Sequence, residues 1–406
     1  MSLSMPLNNV EIPYGAYWST PFAKWQGSLQ HLHAMKFAAW VAKGELARRD
    51  IDPTIFDSGV LGMTNAQYQS FYGAPWPLYE LGATKTPGHM LSQVCATGVR
   101  GLFATASEIA LGMSETSLLL TADRCSNGAH IYYPAPSGSG GYGQSEDQVT
   151  YNMMNDAIAG HSMIQTGENV AKQFGIGREE LDAVALRRFE QYQDALKDDQ
   201  AFQKRYMTLP FSVPNPSFKR EACVLTGDEG VFPTTAEGLA KLKPVYDGGV
   251  VTFGNMTHPA DGNASVILAT ADKARELSRD SAIRIRLCGF GQARAEVAHM
   301  PAAPIGAAAN ALKMASLDYS RIKAIKTHNP FAVNDVALAR AGGFDVMKMN
   351  NYGCSMIWGH PQGPTGMRAI IELIEELVLL GGGYGLFTGC AGGDQGMAVV
   401  IGVEER

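Results

Sequence analysis

Four stretches of this chain set a reactive side chain where an apolar run stops and small residues begin. Ser92-Gln93-Val94-Cys95-Ala96-Thr97-Gly98 puts a cysteine between a strand-like run and a small-residue helix. A thiol at a helix start meets the positive end of the helix dipole, which lowers its pKa, and backbone N–H groups that can hold an oxyanion. Gly359-His360-Pro361, with Gly363 and Gly366 after it, places a histidine as a base that could take the proton from a thiol. Gly389-Cys390-Ala391-Gly392-Gly393 offers a second thiol, flanked by glycines that let a substrate approach the backbone, for proton transfer at a substrate carbon. His328-Asn329-Pro330-Phe331 closes a fourth strand, where His or Asn can bind an oxyanion directly or through a water. Each stretch taken alone also has an inert reading: a core cysteine, a satisfied histidine, a turn cysteine, a loop-anchoring pair.

These groups need strands to end on and helices to start from. The run 88–94 predicts a strand ending at Cys95, then a helix over 98–111 closed by Gly112, then a strand over 117–122. That βαβ unit implies a parallel sheet with helices on its faces. The later chain repeats the pattern. Residues 356–358 predict a strand ending at His360, 367–380 a helix, and 386–388 and 397–401 strands. Residues 322–327 predict a strand ending at His328. The match is in pattern, not identity, and points to two copies of one α/β unit. Elsewhere the pattern predicts a helix within 20–50, strands at 56–63, 250–254, 264–269 and 283–288, and a helix at 305–315. Regularity drops between 124 and 245, where helices at 158–174 and 178–196 and a Pro-rich loop read as an inserted subdomain. The glycine-rich loop 137–143 has neither a preceding strand nor a following phosphate-type helix, so it is not a dinucleotide fingerprint. The aromatic residues from Tyr68 to Trp76, with Trp358, could wall a substrate pocket or simply pack a core.

Composition narrows the class. The chain has 406 residues, 46% of them hydrophobic, enough for a large core. Its 33 Lys+Arg against 39 Asp+Glu give a formal charge of −6, which argues against nucleic acid or an anionic membrane as partner. Six cysteines lie far apart with no CxxC pair, which points away from metal sites and disulfides and toward reduced thiols in the cytoplasm. No signal peptide or membrane-span pattern is visible.

The four stretches together resemble the thiolase family, over nearly the whole length. The resemblance rests on Thr20-Pro21-Phe22-Ala23-Lys24-Trp25-Gln26-Gly27-Ser28-Leu29, on Val94-Cys95-Ala96-Thr97-Gly98, on Gly167-Glu168-Asn169-Val170-Ala171 and on Val251-Thr252-Phe253-Gly254-Asn255. It also rests on Gly359-His360-Pro361-Gln362-Gly363-Pro364-Thr365-Gly366 and Cys390-Ala391-Gly392-Gly393-Asp394-Gln395-Gly396. It implies a five-layer αβαβα fold of two duplicated halves, 1–123 plus 246–275 and 276–406, with a loop subdomain at 124–245. It implies an acyltransferase that cleaves or forms a β-oxoacyl-CoA. Cys95 would be acylated, His360 would be its base and Cys390 would move the proton at Cα. One oxyanion hole would involve backbone N–H groups on the Cys390 side; the other would use His360 and the group at 328. Coenzyme A would be a substrate, with Asn255 and Gly392 toward it, and no cofactor would be tightly bound. A homodimer or dimer of dimers is implied as well. His328-Asn329-Pro330-Phe331 departs from the usual Asn-Glu-Ala-Phe and resembles the sterol-carrier-protein-2-like thiolases, in which a histidine could touch the thioester oxygen directly. Gly353-Cys354, where Gly-Gly is usual, and the loop 298–303 also depart. Two alternatives stand beside this reading: a decarboxylating condensing enzyme, and a thiolase-fold subunit that needs a small zinc-ribbon/OB-fold partner, for example on a bulky aromatic β-oxoacyl-CoA.

Overall fold

The computed structural model describes residues 6–406; residues 1–5, where the expected first half begins, lie outside the described residues. In chain order the elements that position the site are α1 (Ala34–Arg48), β1 (Ser58–Gly62), β2 (Gly88–Leu91), α2 (Thr97–Ala110), β3 (Thr116–Arg124), α3 (Met163–Phe174), α4 (Arg178–Ala195) and β4 (Ala260–Thr270). They continue with β5 (Ile283–Arg294), α5 (Ala303–Ala315), β6 (Ile322–His328), α6 (Ala332–Gly342), α7 (Gly363–Leu379), β7 (Gly383–Ala391) and β8 (Gln395–Glu405).

An 11-stranded sheet runs β6-β7-β8-β5, then the short strand Val10–Glu11, then β4-β3-β1-β2. β2, β1 and β3 are parallel, as are β6 and β7. The pairs β3–β4, β5–β8 and β7–β8 are antiparallel, so the sheet is mixed rather than all parallel. Strands such as β3 are apolar on both faces because helices cover both. α1 covers the outer face of β3 and β4, and α5 covers β5, β7 and β8. α2 and α7 pack on each other in the middle, α7 touching β3 and β4 on one side and β6 and β7 on the other. The result is the expected succession of five layers.

The middle layer explains two sequence features. α2 buries Val99, Leu102, Ala106 and Ile109 at helical spacing. α7 is buried from Gly363 to Leu377, charged residues included. Its Arg368 is paired with Asp228 and Glu372, Glu372 with Lys326, and Glu375 with Tyr17 and Arg205. Buried charges persist only when paired and hydrogen-bonded in this way. A Cβ on Gly98 would lie 2.8 Å from both the Gly363 carbonyl and the Met367 nitrogen, so α2 and α7 touch backbone to backbone at their N-terminal ends.

Some local expectations are overturned. Residues 250–254 are not a strand; they form a loop whose Val250 and Val251 N–H groups donate to the Glu168 carboxylate. Residues 356–358 belong to a one-turn helix, Ser355–Trp358, because the Cys354 carbonyl accepts from Ile357 and Trp358. A three-residue apolar run is too short to show a period. The inserted segment holds two hairpins, His130–Tyr133 with Gln144–Asp147 and Phe211–Pro214 with Glu221–Leu225. No helix of the described residues is long and apolar enough to cross a membrane.

Candidate active site

Cys95 sits in a turn between β2 and α2. Val94 holds φ +49, a left-handed conformation that a β-branched residue seldom adopts. The Thr97 hydroxyl secures it by donating to the Val94 carbonyl at 2.6 Å and accepting from the Gln93 N–H at 2.8 Å. The turn delivers Sγ to the N-terminal side of α2, 7% exposed as a residue.

His360 arrives from the other end of the chain. Gly359 has φ +94, and a Cβ there would meet the Ala260 side chain at 2.8 Å, so glycine is required just before it. The His360 N–H donates to the His258 carbonyl at 2.8 Å, and its carbonyl accepts from Ala260, which lays the segment alongside Pro259. The ring then spans two partners: Nδ1 lies 2.6 Å from the Thr365 hydroxyl and Nε2 lies 3.2 Å from Cys95 Sγ.

His328, at the end of β6, stacks on His360 with ring centroids 4.1 Å apart and planes at 26°. Its Nδ1 lies 2.9 Å from Ser355 Oγ, while its buried Nε2 has no partner among the described residues. Ser355 also reaches the Asn329 carboxamide oxygen at 3.0 Å. The Ser355 hydroxyl gives its one proton to that oxygen, so His328 Nδ1–H donates to Ser355 Oγ and Nε2 stands as an acceptor without a partner among the described residues. Cys390, near the end of β7, is fully buried and accepts from Asn334 Nδ2 at 3.2 Å. The Gly392 N–H points at the Cys95 sulfur.

Burial dominates the electrostatics. It pushes the Cys95 thiol up to about 12, against the Gly392 N–H, which favours the thiolate. It pushes the His360 imidazole down to about 3, helped by the neighbouring His258. His328 is held well below the usual histidine range by burial and by His360, and Cys390 is pushed up by burial and by the proximity of Cys95. The lowered thiol pKa expected from a helix start is therefore overturned: desolvation outweighs the helix end. The resting pair is neutral thiol and neutral imidazole. Among the described residues, a threonine hydroxyl and not a carboxylate stands behind His360.

The structure thus brings Cys95, His360 and His328 together, their ligand-capable atoms within 4.8 Å of one another, with Cys390 alongside. That spacing could also hold a soft divalent ion, but a thiol 3.2 Å from an imidazole suits proton transfer. Gly392 joins the group through its backbone. Asn255 does not: it is fully buried, its amide donates to Asp182 and the Val250 carbonyl, and its oxygen accepts from Thr252, so it braces the 250–255 loop. Of the two readings of the aromatic residues, core packing holds for Trp358 and neither describes the rest. Tyr68, Phe71 and Tyr72 are on the surface, and Trp358 is buried against Arg368 and Phe22. Thr365, Ser355, Asn334 and Gln362 were missed. Thr365 and Gln362 stood inside the histidine signature, whereas Ser355 and Asn334 carry no local signal.

Two cavities that share Ile158 and Gly393 lead outward from this group. The inner one, of about 360 Å³, is walled by Val94, Gln362 and Gly392, which surround Cys95. The outer one, of about 570 Å³, includes Gln292, Arg294 and Gln395.

Known proteins share this architecture. The family model "Thiolase, N-terminal domain" matches residues 16–272 and "Thiolase, C-terminal domain" matches 282–403. An acetyl-CoA acetyltransferase of Chromobacterium violaceum is 28% identical, covering 97% of this chain and 99% of its own. The human mitochondrial 3-ketoacyl-CoA thiolase is 29% identical over 94% of this chain and 96% of its own. The crystal structure of that human enzyme in complex with CoA superposes with a TM-score of 0.87 at 28% identity, covering 98% of each chain. The acetyl-CoA acetyltransferase of Bacillus anthracis gives 0.88 at 26% identity, over 98% of this chain and 100% of its own.

Proposed function

The chain belongs to the thiolase family, and from that premise we propose that it cleaves or forms a β-oxoacyl-CoA through an acyl-enzyme on Cys95. One observation carries the reading: Sγ and His360 Nε2 lie 3.2 Å apart in a buried site that also holds the Gly392 N–H and Cys390. In cleavage, Cys95 Sγ attacks the β-carbonyl carbon while His360 takes its proton. The Gly392 N–H faces the oxyanion that forms there. The Cα–Cβ bond breaks, and Cα takes a proton from Cys390 as acetyl-CoA leaves. The thioester oxygen that carries charge in this step is met by His360 Nε2–H, which carries the proton from Cys95, with the His328 ring stacked on it. The thiol of a new CoA then gives its proton to the Cys390 thiolate and attacks the acyl-enzyme; the Sγ–acyl bond breaks and Cys95 takes its proton back from His360. Condensation is the same sequence reversed.

The cavity pair supports coenzyme A as a substrate, with Arg294 in the outer wall suited to its phosphates. Neither alternative gains support. A decarboxylating enzyme leaves Cys390 idle, and the relatives are named as acetyltransferases and thiolases. A homodimer or dimer of dimers belongs to the same reading, supported by β2, which lies at the end of the sheet order, paired there with β1. A role in β-oxidation and a cytoplasmic location belong to it too, the latter supported by six free thiols. So does the division into 1–123 plus 246–275, 124–245 and 276–406, supported by the small separate sheets of the middle segment.

The test is acylation. Incubated with acetoacetyl-CoA, the protein should gain an acetyl group on Cys95 by mass spectrometry, and Cys95→Ala should gain none. Intact folding with no adduct from any β-oxoacyl-CoA would overturn the reading.

A further inference from the structure

Gln362 stands where the mechanism leaves it without a task. Its backbone sits at φ +63 and ψ −108, a strained combination for a residue with a side chain. The strain is held in place by the Gly363 N–H, which donates to Asp123 at 2.9 Å. This conformation aims the carboxamide at the nucleophile, with Oε1 3.4 Å from Cys95 Sγ. Nε2 has no partner among the described residues. A carboxamide that close to the sulfur is within reach of the first few atoms of an acyl chain bonded to it.

The inner cavity beyond Gln362 is unusually rich in carboxamides for an alkyl pocket. Asn65, Gln148, Asn152 and Asn155 line it together with Gln362; Gln148, Asn152 and Asn155 already bond backbone groups, which leaves Asn65 and Gln362 to a ligand. Asn65 is buried, with its amide nitrogen on Cys125 Sγ at 3.6 Å and its oxygen unpaired among the described residues. Asp156 is the one charged side chain among the described lining residues, and it is acidic. A carboxylate-tailed acyl group would find no cation there. A plain alkyl chain would leave the Gln362 amide nitrogen and the Asn65 carboxamide oxygen without partners, at a cost a hydroxyl avoids.

We propose that Gln362 is a specificity-determining residue, and that this subsite takes a short acyl chain bearing an uncharged hydrogen-bonding group, such as a hydroxyl, on its second or third carbon. In the β-oxoacyl-CoA that group sits on the fourth or fifth carbon. The inference rests on the acyltransferase reading and adds the substrate class.

The experiment compares the rates at which butyryl-CoA, 3-hydroxybutyryl-CoA and succinyl-CoA acylate Cys95 in the whole enzyme, followed by mass spectrometry. In each case Sγ displaces the CoA thiol, which leaves with the proton. 3-Hydroxybutyryl-CoA should react at least about tenfold faster than butyryl-CoA, with succinyl-CoA slowest. Gln362→Leu should bring the first two rates within about twofold of each other, the loss expected for one buried hydrogen bond. Equal rates in the unmodified enzyme, a preference that survives Gln362→Leu, or fastest reaction with succinyl-CoA would each overturn the proposal while leaving the acyltransferase standing. No adduct from any thioester, acetoacetyl-CoA included, would remove both. If Gln362→Leu does not fold, the rates of the unmodified enzyme decide alone.

Discussion

With the Cys95 thiol pushed up to about 12 and the His360 imidazole pushed down to about 3, the proton stays on sulfur until a substrate is present. Catalysis then depends on what receives charge as it forms, and each acceptor is a separate residue. Cys390 is the group that meets the substrate Cα, and Asn334 fixes its sulfur at 3.2 Å. Cys390→Ala should therefore keep acylation of Cys95 by an acyl-CoA while exchange of the acetyl-CoA methyl protons with deuterium, read by NMR, falls by about a thousandfold or more. Exchange at the original rate would assign that proton to another group. The four reactive residues were legible because Cys95 precedes a small-residue helix, His360 and Cys390 stand beside glycines, and His328 ends a strand-like run. Ser355 and Asn334 were not, since a hydroxyl or an amide acquires its task only from the neighbour that folding supplies.

At the scale of elements, the decisive contact is α2 against α7. The sulfur precedes one helix and its base precedes the other, so their separation is set where the helices touch at Gly98 and Gly363. Gly98→Ala would gain a little helix propensity but force the two backbones apart. We expect a net loss of about 1–2 kcal/mol in urea unfolding, with slower acylation of Cys95 at temperatures where the variant is fully folded. Unchanged stability and rate would mean the close pass is not needed. The periodicity of α2 and α7 made both helices readable in advance. α6 was not read, because Ala332 to Ala339 is buried throughout and shows no polar face. The strand expected at 250–254 failed for a related reason. Its apolar residues are ordered by Glu168 from a distant helix and not by a partner strand.

Across the whole molecule, the site is an acid-sensitive load on folding. His328 and His360 are buried neutral, with folded pKa values below the ordinary 6.5. Below about pH 6.5 the unfolded chain binds protons that the folded chain refuses, so this part of the stability is complete above that pH and is lost as the pH falls toward the folded values. Each histidine should contribute a slope of about 1.4 kcal/mol per pH unit in that window. Urea melts of the unmodified protein and His328→Asn between pH 7 and pH 5 should show the variant's slope smaller by about that amount; parallel slopes would show that His328 is not buried neutral. The layered plan and the two-copy pattern were visible in the sequence, because a repeated strand–helix period survives without knowledge of contacts. The mixed direction of the sheet was not, since it depends on how β4 returns after the inserted segment and on β8 folding back between β7 and β5. A last consequence follows from the 265 residues between Cys95 and His360. During synthesis the nucleophile leaves the ribosome long before its base, and before the turn between β7 and β8 that carries Gly392. A nascent chain is thus unarmed toward the cell's thioesters, and reactivity arrives in one step when the final strands close.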